Sequence, residues 1–370
     1  MSHQSHSRQA TQSETPTAVE FGSRTPKSDH LQPWSLGVEH QSQITSVVEE
    51  RTVVRKVHPR HTEPVPPAPC GEVCTYSGTE VNASGMAYPE LHKDINCKNI
   101  MNRMAYRNYT VEDPPPDYPP ESLIPNFTMN GAMPITKRKY FSSGSSTATR
   151  VFTASYIQNL ISKVNEGEQV NGYKAGKCME DTLKRYGHEI NGKRGVVIGT
   201  LQPWLEAILL AYGAIKVTTL EYTGLELEDG RIEVFTPYDF ADHYLGGESV
   251  ELFDFGATFS SLEHSGLGRY TDPLNPYGDL EAMAQTWCMI KPGGLFVLGL
   301  PCSMTDDGFI LWNANRMYGT KRLQQMTANW RLLEVVRCTD ANKLFVLRKP
   351  AQQQQQEQQQ QLQLHYDYSE

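Results

Sequence analysis

"GVVIGTLQPWLEAILLAYGAIKVTTLEY" occupies residues 195–222. Its first five residues are short, wholly apolar and rich in β-branched side chains, the composition of a strand buried on both faces of a parallel sheet. Over residues 203–214 the pattern becomes helical. Pro203 stands in the first turn, where a helix accepts proline, and Gly213 stands where helices end. A second apolar run, 216–222, completes a strand–helix–strand unit.

The same alternation extends outward from this unit. "RIEVF" (231–235) and "VELFDFGATF" (250–259) predict a third and a fourth strand. A helix is expected over about 278–290, and "GLFVLGLP" (294–301) predicts a fifth strand. "WRLLEVVRC" and "KLFVLRK" are expected to close the sheet as an antiparallel hairpin. Upstream, Tyr156, Leu160 and Val164 recur at helical spacing with Ile157 and Ile161 alongside, and a further helix is expected over about 174–187. Repeated strand–helix–strand units specify an α/β protein with a doubly wound, mostly parallel Rossmann-like sheet and an antiparallel C-terminal hairpin.

The flanks read differently. Residues 1–68 are rich in Ser, Gln, Thr, His and Pro and hold too little apolar surface to offset their ordering entropy, so disorder is expected. Residues 69–149 form an irregular Pro-rich segment, with "VEDPPPDYPP" at 111–120, expected to drape over the core. The folded domain is expected over 150–349, and 350–370 read as a Gln-rich disordered tail.

A net charge of −8, with Lys137-Arg138-Lys139 as the basic cluster, argues against a nucleic-acid partner. No apolar run approaches the roughly eighteen residues that a membrane span needs. The first thirty residues lack an apolar leader core, so a cytoplasmic location is expected, although sequons at Asn82, Asn108 and Asn126 leave a secretory compartment open. The seven cysteines are odd in number and scattered, which fits reduced core thiols. Cys70, Cys74 and Cys97 with His92 offer donors for zinc, but no second tight pair completes the set.

In open α/β sheets the ligand crevice lies beyond the carboxyl ends of the strands, where the strand order switches. After the first strand stand Gly199 and Thr200, followed by a helix N-terminus; the stretch reads as a cofactor loop or as a plain strand-to-helix turn. Glu221 ends the second strand, placed to accept hydrogen bonds from the two hydroxyls of a ribose. Asp239 follows the third, either to meet an adenine amino group or to cap a helix. The fourth strand leads into "SSLEHSGLGRYTDP" (260–273), where Glu263, His264, Arg269 and Asp272 crowd between two glycines.

"VVIGT", "TLEY", "FDFGATFSSLEH" and "IKPGGLFVLGLP" resemble, in order and spacing, the strand ends of class I S-adenosylmethionine-dependent methyltransferases. "SSLEHSGLGRYTDPLNPYGDLEAM" and "LWNANRMYGTKRL" resemble, more closely, the Caenorhabditis-type family called domain of unknown function 268. The resemblance spans about residues 150–349. It implies a methyltransferase-like fold, with S-adenosylmethionine as cofactor and Gly199, Thr200, Glu221 and Asp239 as its binding residues. One departure stands out: "GTLQPW" replaces the glycine-rich turn usual after the first strand.

Within the 260–273 loop, His264 is a candidate general base, Glu263 or Asp272 a group that fixes its tautomer, and Arg269 a fork for an anionic substrate group. The same residues also read as a buried polar network that locks the loop, or, for Glu263, His264 and Asp272, as a metal site. Asn313, Asn315 and Arg316 are expected on a helix after the fifth strand. Two functions follow: methyl transfer to a small hydroxylated or sugar-like acceptor, or a non-catalytic Rossmann-like module binding a nucleotide, glycan or protein partner.

Overall fold

The computed structural model describes residues 74–81, 87–91, 95–106, 116–138, 149–246, 252–270, 272–304 and 307–351. The expected disorder of residues 1–68, the Gln-rich tail and the sequons at Asn82 and Asn108 lie outside the described residues.

Before the main sheet, β1 (Cys74–Val81) and β2 (Ala87–Leu91) pair antiparallel and lead to α1 (Cys97–Tyr106). The short α2 (Ile124–Phe127) and β3 (Ile135–Arg138) follow. Ile100 and Met101 of α1 are buried in the core beside α8 (Gly278–Met289). Phe127, Met129 and Met133 form a separate buried cluster with Leu267, Ile310 and Trp312. The Trp312 indole N–H donates to the Pro116 carbonyl at 3.0 Å, fixing the end of the Pro-rich stretch. Leu267 lies inside the 260–273 loop, so this cluster packs the back of that loop against the N-terminal segment.

Beyond β4 (Arg150–Phe152) lie α3 (Ala154–Asn165), α4 (Gly176–Arg185) and α5 (Gly187–Ile190). Thr153 caps α3: in an extended conformation, its hydroxyl accepts from the Tyr156 N–H at 3.3 Å. The buried stripe of that helix is Ile157, Leu160, Ile161 and Val164, as the helical spacing predicts.

The main sheet is built from β5 (Arg194–Ile198), β6 (Lys216–Leu220), β8 (Ile232–Phe235), β9 (Phe253–Phe259), β10 (Ile290–Pro301), β13 (Arg331–Arg337) and β14 (Asn342–Arg348). Its order is β13-β14-β10-β9-β5-β6-β8. The five strands from β10 to β8 are mutually parallel; β14 runs antiparallel to β10, and β13 antiparallel to β14. The protein is thus an α/β fold on a mixed sheet. Alternate side chains of each central strand enter different cores. Val196 and Ile198 join the side of α7 (Pro237–Leu245) and α8, while Val197 joins the side of α3 and α6 (Trp204–Ala211). The small β4 pairs in parallel with β7 (Leu225–Leu227).

Two local expectations are corrected. The fifth strand begins at Ile290 rather than 294, so Lys291-Pro292-Gly293-Gly294 lies inside β10 as a break in register between Ile290 and Leu295. Gly293 has a φ of 82°, and its N–H donates to the Lys349 carbonyl at the end of β14, which draws the turn into the sheet. Asn313, Asn315 and Arg316 stand on no helix. β11 (Gly308–Trp312) and β12 (Asn315–Tyr318) form a hairpin whose alternating burial shows a period of two, turning at Asn313 with a φ of 58°. The short α9 (Thr320–Thr327) follows.

The cysteines also depart from expectation. Cys97 pairs with Cys288 and Cys178 with Cys338, while Cys302 is free and buried. The partners are 191 and 160 residues apart, so spacing along the chain gave no sign of either bridge. The zinc alternative loses Cys97 to a disulfide; Cys70 and His92 lie outside the described residues.

Candidate functional site

From β5 the chain moves outward through β6 to β8, then returns to place β9 and β10 on the other side of β5. The switch in strand order therefore falls between β5 and β9. Gly199, Glu221 and Ser260 stand just beyond the carboxyl ends of β5, β6 and β9, so the topology brings them to one edge.

Gly199 has a φ of 70°, and a Cβ there would collide with the Ser261 hydroxyl, so only glycine fits. Thr200 does not present its N–H outward. It donates to Glu221 Oε2 at 2.9 Å, and the Thr200 hydroxyl donates to the Gln202 carbonyl. Glu221 Oε1 accepts from both the N–H and the hydroxyl of Thr223, each at 2.9 Å. Burial pushes the Glu221 carboxyl above its ordinary value, against these bonds and the nearby Arg150. Arg150 itself donates to the Leu201 carbonyl at 3.1 Å and to the Thr223 hydroxyl at 2.7 Å. A carboxylate offers about four acceptor positions, so one remains on Oε2.

Asp239 stands apart. It is exposed in the first turn of α7, where Thr236 accepts from its N–H at 3.1 Å and donates to its carboxylate at 2.7 Å. Thr236 is thus the N-cap of α7. A different polar cleft lies beside Glu221, lined by Tyr222 and by Asn275, Glu281 and Gln285 at the start of α8.

The loop after β9 is held by its backbone. Asp272, fully buried, accepts from the N–H groups of Gly266 at 2.6 Å, Gly268 at 3.3 Å and Tyr270 at 3.0 Å. Its oxygens are thus spent on the loop and do not reach His264. From the other side, Arg316 donates to the Ser265 carbonyl at 2.6 Å and lies 3.7 Å from Asp279. Arg322 makes a second, bidentate pair with Asp279. Burial opposes ionisation of Asp279, yet Arg316 and Arg322 hold its carboxyl below the ordinary value. Asn313 donates to the Leu267 carbonyl at 3.4 Å, and Asn315 to the Arg316 carbonyl at 3.1 Å.

Within this frame Glu263 and His264 are buried side by side. His264 Nδ1 lies 2.5 Å from the Ala314 carbonyl, which makes it the protonated nitrogen and leaves a lone pair on Nε2, 3.6 Å from Glu263 Oε1. The Ala314 carbonyl also accepts from Arg269 at 3.2 Å. Burial, reinforced by Arg269, pushes the imidazole down to about 3, so it is neutral at physiological pH. Burial pushes the Glu263 carboxyl up to about 7, although the Ser260 hydroxyl donates to Oε1 at 2.5 Å. Glu263 Oε2 is buried without a hydrogen-bond partner. Ser260 holds a φ of 51°, a conformation that costs a non-glycine residue about 1 kcal/mol or more. Among the described residues no three His, Cys, Asp or Glu side chains are grouped to hold a metal.

The residues that sequence reasoning passed over are Ser260, Tyr270, Tyr173, Arg150 and the Ala314 carbonyl. Ser260 and Tyr270 stand inside the loop already singled out; Tyr173 and Arg150 come from distant polar stretches without a motif.

The fold and its crevice define an α/β protein with buried, ionisable groups at the switch point of its sheet. Residues 192–366 match the model of the family described as "Caenorhabditis protein of unknown function, DUF268". No curated protein matches the sequence. Among solved structures, the chain is similar to 1,6-didemethyltoxoflavin-N1-methyltransferase from Burkholderia thailandensis, at 14% identity over 58% of this chain and 93% of that one, with a TM-score of 0.36. N-methyltransferase NodS from Bradyrhizobium japonicum gives 15% identity over 49% and 99%, with a TM-score of 0.32. A hemolysin candidate from Lactococcus lactis gives 15% over 47% and 89%, with a TM-score of 0.33. At such identities and TM-scores these likenesses do not bear on the reaction.

Proposed function

We propose that the protein is an S-adenosylmethionine-dependent methyltransferase on a doubly wound sheet of the methyltransferase type, acting on a small acceptor with a hydroxyl or similar nucleophile. The observation that carries this reading is Glu221. It is a buried carboxylate at the carboxyl end of β6, one strand from the switch point, with an acceptor position left on Oε2, on the edge that also bears Glu263 and His264. Glu221 would hold the ribose through the acceptor position left on Oε2. When bound, the cofactor supplies an electrophilic methyl group.

The chain's own residues set the acceptor's proton chemistry. A base works best when its pKa lies near the working pH. By that criterion Glu263, at about 7, is the proton acceptor, and His264, at about 3, is a fixed neutral hydrogen-bond acceptor beside it. Ser260 holds one oxygen of Glu263, which leaves Oε2 for the acceptor's proton. The protonated carboxyl that results is the form burial favours.

The non-catalytic reading keeps one supporting observation. The Thr200 N–H, which would face a ligand from the glycine loop, is instead spent on Glu221. Titration calorimetry with S-adenosylhomocysteine separates the two. Binding weakened about ten-fold or more in Glu221→Gln supports the transferase. No heat at millimolar ligand leaves the binding module.

The two disulfides support maturation in an oxidising compartment rather than the expected cytoplasm. Asn126 donates to the Tyr277 hydroxyl at 2.7 Å, so a glycan there would break a native contact. Mass spectrometry of the chain from its native source, alkylated without reductant, checks this: four labelled thiols at Cys97, Cys178, Cys288 and Cys338 would refute it.

A further inference from the structure

Where β9 ends, the chain turns through Ser260 and Ser261, both partly exposed. The Ser261 hydroxyl stands against Gly199, close enough to exclude a Cβ there, so the turn lies over the end of β5 at the switch in strand order. Ser260 holds its φ of 51°, and its hydroxyl donates to Glu263 Oε1 at 2.5 Å.

A serine that merely caps a turn accepts from a backbone N–H three residues on. Here the hydroxyl donates to the carboxylate itself. That is the arrangement of an activated nucleophile, a hydroxyl within hydrogen-bond reach of a base that has a third group beside it. The third group is His264. Its Nε2 lies 3.6 Å from Glu263 Oε1, while its Nδ1 is held by the Ala314 carbonyl. Burial pushes the Glu263 carboxyl up to about 7, which makes it a better proton acceptor than an ordinary carboxylate.

The backbone fits the same role. A hydrolytic serine is often carried on a sharp, strained turn after a central strand, where the N–H of the next residue stabilises the oxyanion. Such constellations are defined by geometry and recur on unrelated folds. Ser260 follows a central parallel strand, precedes the short turn Leu262–His264 and has a left-handed backbone. The next N–H, that of Ser261, makes no hydrogen bond among the described residues.

We propose that Ser260 is a nucleophile and that the crevice hydrolyses a small carboxylic ester, with Glu263 as base and the Ser261 N–H as oxyanion donor. Ser260 Oγ attacks the ester carbonyl carbon, and its proton passes to Glu263 Oε1. The bond from that carbon to the alcohol oxygen breaks, and the alcohol leaves with the proton. Water then attacks the acyl-serine and gives a proton to Glu263. The bond to Oγ breaks, and Oγ takes that proton back. The products are the free acid and the alcohol, and water is the second reactant. No cofactor at Glu221 is needed, so this activity stands or falls apart from methyl transfer.

The test is labelling of the native full chain with a fluorophosphonate, with the modified residue located by peptide mass spectrometry. Label is expected on Ser260 and absent from the heat-denatured chain. Its rate should rise as pH passes through about 7, because Glu263 must be ionised to take the proton. Glu263→Gln is expected to slow labelling about 100-fold or more. Ser265→Ala, in the same loop but outside this constellation, should leave it unchanged. Without S-adenosylhomocysteine, 4-nitrophenyl acetate should be hydrolysed by the native chain and not by Ser260→Ala. Circular dichroism confirms that each variant is folded, and the site mapping needs no variant. No label on Ser260, equal labelling after denaturation, a rate unchanged in Glu263→Gln, or equal hydrolysis by Ser260→Ala would overturn the proposal.

Discussion

Two loops leave neighbouring strands at the same edge of the sheet and satisfy their polar groups in opposite ways. The loop after β5 closes on itself: the Thr200 N–H meets Glu221, the Thr200 hydroxyl meets the Gln202 carbonyl, and Glu221 is also bonded to Thr223. The loop after β9 uses Asp272 and Arg316 to satisfy its backbone, yet leaves Glu263 Oε2 buried and unpaired. An unmade hydrogen bond in a buried site costs stability, so it persists where the surrounding structure enforces it and a ligand can complete it. The first loop positions; the second is equipped for chemistry.

The comparison breaks most directly at Asp272. Replacing it with alanine strands three loop N–H groups, and urea denaturation is expected to show a loss of about 3–5 kcal/mol. A loss below about 1 kcal/mol would mean that this loop is not held as described.

The next test concerns Glu206, on α6 behind the first loop. It accepts from the Thr219 hydroxyl at 2.8 Å, but its other oxygen is buried and unpaired, and burial raises it to about 7. A folded-state pKa above the unfolded value means that the native state holds the extra proton. Stability from this group is therefore complete below about pH 4.5 and falls as pH rises through about 7. Glu206→Gln is expected to remove that fall, with a gain of up to roughly 3 kcal/mol at pH 8 and little change at pH 4, read from thermal unfolding at the two values.

Glu263 sharpens the contrast without needing a substrate. Infrared spectroscopy should show protonated carboxyl bands that vanish with a midpoint near pH 7, one lost in Glu263→Gln and another in Glu206→Gln. S-adenosylhomocysteine is expected to shift the Glu263 band, which borders the crevice, and leave the Glu206 band in place. The smallest effect is expected at Ser260. Glycine there relieves a left-handed residue, worth about 1 kcal/mol, but forfeits the hydrogen bond to Glu263, so net stability should change by less than about 1 kcal/mol. The midpoint of the Glu263 band should rise.

What the sequence made legible was the sheet edge. Short apolar runs at 195–199, 216–222 and 250–259 locate strands, and the residues just past them are the ones the topology gathers. The pairings inside the site were not legible, because they join residues far apart in the chain. The tautomer of His264 is set by a carbonyl fifty positions away, on a hairpin that reads as a helix because Leu311, Asn315 and Tyr318 also fit a helical stripe. Nor does a string of letters reveal that Thr200 turns inward to Glu221. Burial decides which of Glu263 and His264 titrates near neutrality, and burial is a property of the packed loop.

The disulfides have a topological consequence. Cys97–Cys288 and Cys178–Cys338 close rings that overlap, so together they span every peptide bond from residue 97 to residue 338. One proteolytic cut anywhere in that interval leaves the two pieces covalently joined. A nicked molecule would migrate as one species on a non-reducing gel and separate into two after reduction. The crevice would then belong to a molecule that can be cleaved once without coming apart.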